Sequence, residues 1–200
     1  MRVIGLTGGI ASGKSLVSEQ LAERGAVLID ADKVGHSAYL KGTPTFDEVV
    51  AAFGTEIVGA DGEVDRKALG GKVFADPEAR HKLESIVWQA IRSKVEEQLE
   101  ALRAKGTGIA VLEAAILIEA DWVPLTDEVW LVTVSPETAR QRLFERNGLS
   151  AADAESRIRA QLTNEKRRTY ADVEIENDGT LEELRAAVSD AWEALAARIG

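Results

Sequence analysis

Val3-Ile4-Gly5-Leu6-Thr7-Gly8-Gly9-Ile10-Ala11-Ser12-Gly13-Lys14-Ser15 is the stretch on which the fold turns. It opens as a short apolar run suited to a buried strand, turns through glycines, and ends where the helical pattern Leu16, Val17, Leu21 begins. Gly8 to Ser15 fits G-x-x-x-x-G-K-[ST] at every specified position. Gly8 and Gly13 are expected to take backbone angles that a side chain would forbid, so that successive N–H groups point inward at a phosphate chain. The following helix adds its unpaired N-terminal donors and the positive end of its dipole. Lys14 then reaches the β- and γ-phosphates, and the Ser15 hydroxyl meets the Mg²⁺ that bridges them.

Outward from this loop, a helix runs to about Arg24 and stops at Gly25, and Val27-Leu28-Ile29-Asp30 forms a second apolar strand. This β-α-β unit sets two parallel strands in one sheet, and the second delivers Asp30 and Asp32 at its carboxyl end. Residues 33–105 are rich in helix signals: Thr43-Pro44 opens one helix through Phe53, and Asp76-Pro77 opens a long one to about Ala104. Between them Ile57 to Val64 reads as a small hairpin or tight turn on Asp61-Gly62. Ile109-Ala110-Val111-Leu112-Glu113 and Val129-Trp130-Leu131-Val132-Thr133-Val134 supply two further strands. Ser135-Pro136 starts a helix ending near Asn147-Gly148, and Ser150-x-x-Asp153 starts another. Val173-Glu174-Ile175 alternates as an exposed edge strand should, and the capping box Thr180-x-x-Glu183 opens a final amphipathic helix. The expected architecture is α/β of the P-loop NTPase type, a five-stranded, mainly parallel sheet with helices on both faces. Its 200 residues form one domain. Segments 1–32, 106–135 and 170–200 make a nucleotide-binding core, 33–105 a helical insertion that binds the acceptor, and 136–169 a helical lid.

The composition, 45% hydrophobic, supports one real core, and the absence of cysteine removes disulfides and thiolate metal sites. The apolar run before the first glycines is too short for a signal peptide, and nothing approaches membrane-spanning length, so a cytoplasmic location is expected. The net charge of −10 argues against broad contact with nucleic acid or an anionic membrane. Yet Arg140, Arg142, Arg146, Arg157, Arg159, Lys166, Arg167 and Arg168 face only Glu145, Asp153, Glu155 and Glu165 in their segment. An acidic protein with one basic segment has a place for an anion.

Three classes fit these features. Asp32-Lys33-Val34-Gly35 spells the D-x-x-G of a regulatory GTPase, but no N-K-x-D guanine-reading motif occurs. A non-catalytic nucleotide-binding switch needs no arginine-rich lid. A small-molecule kinase uses both the inserted lobe, for its acceptor, and the basic helical pair, to close over the triphosphate and exclude water.

Within that third class, Thr7-Gly8-Gly9-Ile10-Ala11-Ser12-Gly13-Lys14-Ser15, Ile29-Asp30-Ala31-Asp32, Asp65-Arg66-Lys67-x-Leu69, Val73-Phe74, Leu117-Ile118-Glu119 and Ser135-Pro136-Glu137-Thr138 resemble, in order and spacing, the dephospho-CoA kinase family. The resemblance runs from Val3 to the final helix. It implies transfer of the ATP γ-phosphoryl group to the ribose 3′-hydroxyl of dephospho-CoA, the last step of coenzyme A synthesis. Mg²⁺ is the cofactor expected at the loop, and a monomer or weak homo-oligomer the expected working form. The alternatives still open are a P-loop kinase of another small nucleotide-like or metabolite acceptor and the non-catalytic switch. Ala11 departs from the family's usual glycine, Ala115 from its usual proline, and Val87-Trp88-Gln89 from its usual His-Pro. Trp88 and residues 111–120 look closer to the kinase half of the bifunctional CoA synthase of animals, and Trp88 reads either as core or as a stacking surface.

The candidate catalytic residues are Lys14, Asp32 and Arg142. Gly8, Gly9, Ala11, Ser12, Gly13, Lys14, Ser15 and Leu16 are the expected nucleotide-binding residues of loop and first turn. Arg142 and Arg146 lie i, i+4 on one helix and match lid positions of the family; the alternative is a solvated stripe paired with Glu145. Asn177 joins the adenine pocket by resemblance only. Ser15 and Glu113 are the metal candidates; capping a helix is the other reading of Glu113. Asp32 is expected to orient the acceptor hydroxyl and Asp30 to act structurally or on the metal through water. Arg66 and Lys67 either contact acceptor phosphates or are solvated. His36 and His81 lack any metal-binding partner pattern and read as structural or surface residues.

Overall fold

The computed structural model describes residues 1–74 and 76–199, apart from the side chain of His36, so that the reading of this histidine lies outside the described residues. Contacts group the chain into two units, Met1–Ile29 with Leu102–Gly200, and Asp30–Ala101.

The first unit is built on a five-stranded sheet in the order β2-β3-β1-β4-β5. Its strands are β1 (Arg2–Gly8), β2 (Val27–Asp30), β3 (Ile109–Glu113), β4 (Glu128–Thr133) and β5 (Val173–Glu176). β1 lies at the centre, parallel to β3 with Leu6 opposite Glu113 and parallel to β4 with Gly8 opposite Val132. β4 runs parallel to β5 in turn. Apolar side chains on both faces make β1, β3 and β4 almost wholly buried, as central parallel strands require. β5 is an edge strand, as its alternation implied. So is β2, and Val27 is 38% exposed despite that strand's apolar sequence.

α1 (Lys14–Glu23) follows the glycine loop. After α1, the helices of this unit begin where capping chemistry places them. α6 (Pro136–Asn147) starts on Ser135, whose hydroxyl accepts the Thr138 N–H. α7 (Ala151–Arg159) starts on Ser150, and a short helix that the sequence did not announce, α8 (Asn164–Arg168), starts on Thr163. In the last helix, α9 (Leu181–Ile199), the Thr180 and Glu183 capping box closes in both directions. Leu184, Val188 and Leu195 of α9 pack with Val17 and Leu21 of α1 against Ile4, Leu6, Val111, Trp130 and Val132 of the sheet.

The second unit contains α2 (Ala31–Ala38), α3 (Pro44–Phe53), α4 (Arg66–Phe74) and most of α5 (Pro77–Ala104). Val49, Phe53, Ile57 and Leu69 are its buried centre. The turn on Asp61-Gly62 forms with one antiparallel bridge, Val58 to Val64. α4 was not foreseen, although Asp65 caps it by accepting the N–H groups of Lys67 and Ala68 at 2.8 and 3.1 Å.

Candidate active site

The loop between β1 and α1 departs from the expected backbone in one respect. Gly13 has φ of 91°, as a loop glycine of this kind should, but the other left-handed residue is Ala11, at φ 59°. Gly8 needs to be glycine for space instead: a Cβ there would clash with Val132 O and Ser12 Oγ. Ser12 N–H donates to Gly9 O at 3.2 Å, which curls the loop, and Leu16 and Val17 N–H return to Gly13 O at 3.0 and 3.3 Å. α1 has no side-chain cap and no acid in its first turn, unlike α6, α7 and α9. The positive dipole end of α1 is therefore not offset by an acid of its own first turn, which favours an anion there.

Around this loop the fold gathers most of the expected residues. Glu113, at the end of β3 and 8% exposed, accepts a hydrogen bond from Ser15 Oγ at 3.2 Å. No helix starts after β3 for Glu113 to cap among the described residues, since the chain there runs through turns to a short 3₁₀ segment at Val123–Leu125. Lys14 Nζ lies 3.1 Å from Gly8 O, folded back over the loop. Arg142, half-buried on α6, donates to Ala11 O at 3.2 Å and to Asn177 O at 2.8 Å. Asn177, 5% exposed, gives its own Nδ2 to Ser12 O at 2.7 Å. A side chain at Gly13 would run into that amide group.

Ala11 to Leu16, Arg142, Arg146 and Asn177 line a cleft of about 720 Å³, which Glu113 does not line itself but borders through Ser15. Leu16 is 45% exposed and, with Leu181, offers the cleft an apolar surface. Gly8 and Gly9 do not line it; Gly9 borders a second cleft that shares only Ile10 and Gln161 with the first. Glu145 lines the same cleft and accepts from Gln141 at 2.9 Å. Arg146 lines the cleft with its Nε on Asn147 Oδ1. Arg140 is committed elsewhere, bridging Glu137 and Glu155 at 2.7 and 2.9 Å and so tying α6 to α7.

In the second unit, Asp30 is the N-cap of α2, accepting the Lys33 N–H at 2.9 Å. Burial raises the Asp30 pKa, but the hydrogen bonds and charge of Lys33 outweigh it and hold the carboxyl below its ordinary range. Asp32 is exposed in the first turn of the same helix and is not its cap. Arg66 lies over the Tyr39 ring at 5.6 Å, Lys67 and His81 are exposed, and Trp88 is half-buried outside the apolar centre of that unit.

Two residues beside the loop escaped the sequence reading. Gln161 Oε1 accepts the Ile10 N–H at 2.7 Å, and Arg167, only 2% exposed, approaches Glu119 at 3.4 Å. Burial pulls the Arg167 pKa down against the charge of Glu119. The basic count singled out the segment, but nothing in it marked Arg167 as the arginine that turns inward.

The model of the dephospho-CoA kinase family matches residues 2–183. This chain belongs to the dephospho-CoA kinase family. A dephospho-CoA kinase of Symbiobacterium thermophilum is 48% identical over 97% of this chain and 81% of that protein. One of Geobacter sulfurreducens is also 48% identical, over 96% of this chain and 98% of that protein. Among solved structures, the dephospho-CoA kinase of Campylobacter jejuni superposes with a TM-score of 0.73 at 26% identity, covering 98% of both chains. The shikimate kinase of Acinetobacter baumannii shares the fold at a TM-score of 0.53 and 16% identity, over 99% of this chain and 94% of that one.

Proposed function

We infer that this chain transfers the γ-phosphoryl group of ATP to the ribose 3′-hydroxyl of dephospho-CoA, giving coenzyme A and ADP. The observation that carries this reading is the match to dephospho-CoA kinases over nearly the whole chain, at 48% identity. The arrangement of Lys14, Ser15, Glu113, Arg142 and Asn177 around one loop supports it.

In this reading the loop amides and the first turn of α1 bind the phosphates, and Lys14 leaves Gly8 O to meet the β- and γ-oxygens. Arg142 spreads positive charge over the transferring group, with its planar fork set by Ala11 and Asn177. Arg146 and Asn177 border the adenosine. Asp32 orients the 3′-hydroxyl, because a loose transition state needs positioning more than early proton removal. The pair Ser15 and Glu113, whose oxygens lie 3.2 Å apart, is a hard oxygen donor set that would hold Mg²⁺. Bound there with ATP, Mg²⁺ would neutralise charge on the phosphates. The unit Asp30–Ala101 serves as the acceptor-binding lobe and 136–169 as the lid. The chain works in the cytoplasm as a monomer or weak homo-oligomer, and its charge of −10 sets it apart from nucleic-acid binders.

The test is product analysis. With ATP and dephospho-CoA, phosphorus NMR should show a new 3′-phosphomonoester in step with ADP. ADP without that signal would defeat the reading.

A further inference from the structure

Between α7 and α8 the chain passes the tip of the phosphate loop. Gln161 Oε1 takes the Ile10 N–H at 2.7 Å. A Cβ built on Gly9 would lie 3.5 Å from Arg167 Nη1, 3.6 Å from Gln161 Oε1 and 4.0 Å from Asn164 Oδ1. Three side chains of one short segment thus close around two loop residues. That segment is itself fastened to the sheet. Asn164 Nδ2 donates to Val134 O at 3.1 Å, just beyond β4, and Arg168 binds both carboxylate oxygens of Glu174 on β5 at 2.8 to 3.0 Å.

Arg167 sits between these anchors. It donates to Leu162 O and meets Glu119 at 3.4 Å, while its Nε and the Oε2 of Glu119 are buried with no partner among the described residues. A buried guanidinium held by one carbonyl and one long ion pair, with its Nε unpaired, costs stability that an apolar side chain of similar volume would not. Packing alone does not account for it. Beside a loop that binds phosphates, a rigid cationic wall has a use, because a loop already shaped loses less entropy when the ligand arrives.

We propose that Gln161 and Arg167 are positioning residues for phosphoryl transfer, holding Gly9 and Ile10 so that the loop meets the triphosphate already formed. The proposal rests on the kinase reading above and deepens it.

Gln161→Met keeps the length of a half-exposed side chain and removes the acceptor for Ile10. Arg167→Lys keeps the charge and removes the fork. Each variant is compared with the wild type by calorimetry with ATP and no acceptor, by turnover with dephospho-CoA, and by melting without nucleotide. Gln161→Met should bind ATP about fivefold more weakly, the loss of one hydrogen bond's worth of preorganisation. Its kcat should fall by at least as much with KM for dephospho-CoA unchanged, and its melting temperature should move by less than about 3 °C. Arg167→Lys should lose at least as much kcat per folded molecule. ATP affinity and kcat both within about twofold of wild type in Gln161→Met would overturn the proposal. So would losses that appear only in melting temperature or only in KM for dephospho-CoA. Should Arg167→Lys fail to fold, Gln161→Met decides alone. A wild-type chain that binds ATP yet leaves dephospho-CoA unphosphorylated defeats the proposed reaction, and calorimetry still judges the positioning.

Discussion

At Ala11 a methyl group sits on a backbone with φ of 59°, and a side chain in that region costs about 1 kcal/mol relative to glycine. Ala11→Gly removes the strain and returns part of the gain as unfolded-chain entropy. The variant should be more stable by about 0.5 kcal/mol in urea unfolding; a destabilised variant would mean that the left-handed turn is not there. Arg142 is fixed by two carbonyl oxygens beside the loop, so Arg142→Ala should lower kcat more than it raises KM for dephospho-CoA. Arg142→Lys should not restore it, since an ammonium cannot span both oxygens. A loss confined to KM for the acceptor would move Arg142 out of the phosphoryl-transfer site. Asp30 already caps α2, which separates the two aspartates experimentally. Asp32→Asn should leave the melting temperature close to wild type and cut kcat about a hundredfold; normal turnover would leave Asp32 without its proposed role. Lys14 and Ser15 were legible because one motif specifies residue and spacing together, and Glu113 because an apolar run marked the strand that ends on it. Gln161 and Arg167 were not, because a contact across 151 positions, as between Gln161 and Ile10, leaves no local pattern.

Among the elements, the helices that announce themselves do so through their caps. Thr43, Ser135, Ser150 and Thr180 each engage the backbone as their residue types imply. α8 went unread because five residues are too few for a period to show, and α4 because Gly70 and Gly71 weaken its helical pattern. What α8 lacks in length it gains from Arg168, which grips Glu174 of β5. Hydrogen bonds from Arg168 lower the Glu174 pKa, burial opposes them, and Thr133 adds a further hydrogen bond. A carboxylate depressed in the folded state contributes stability above its unfolded value, and that contribution is lost as pH falls through the folded value. Glu174→Gln should therefore be less stable than wild type by about 0.5 kcal/mol at neutral pH, with the difference shrinking below the ordinary carboxylate range. Melting temperatures recorded against pH check this. A gap that persists unchanged into strong acid would mean that the charge of Glu174 contributes nothing.

For the whole molecule, the sheet was legible as strands but not as an order. Four apolar runs and one alternating run gave its five strands, whereas the order β2-β3-β1-β4-β5 depends on which backbones pair across long stretches of chain, from Trp130 with Val173 to Ile4 with Glu128. That order places β1 between β3 and β4, and so sets Glu113 beside the loop that β1 feeds. Of the described helices, none is long and apolar enough to cross a membrane. As a dephospho-CoA kinase, the chain takes dephospho-CoA as its acceptor. The most direct measurement is an acceptor screen with purified protein, ATP and Mg²⁺, comparing dephospho-CoA, AMP, shikimate and no acceptor by ADP release. Rapid release is expected with dephospho-CoA alone, abolished by Lys14→Ala. Release that is equal without any acceptor, or faster with AMP or shikimate, would contradict it.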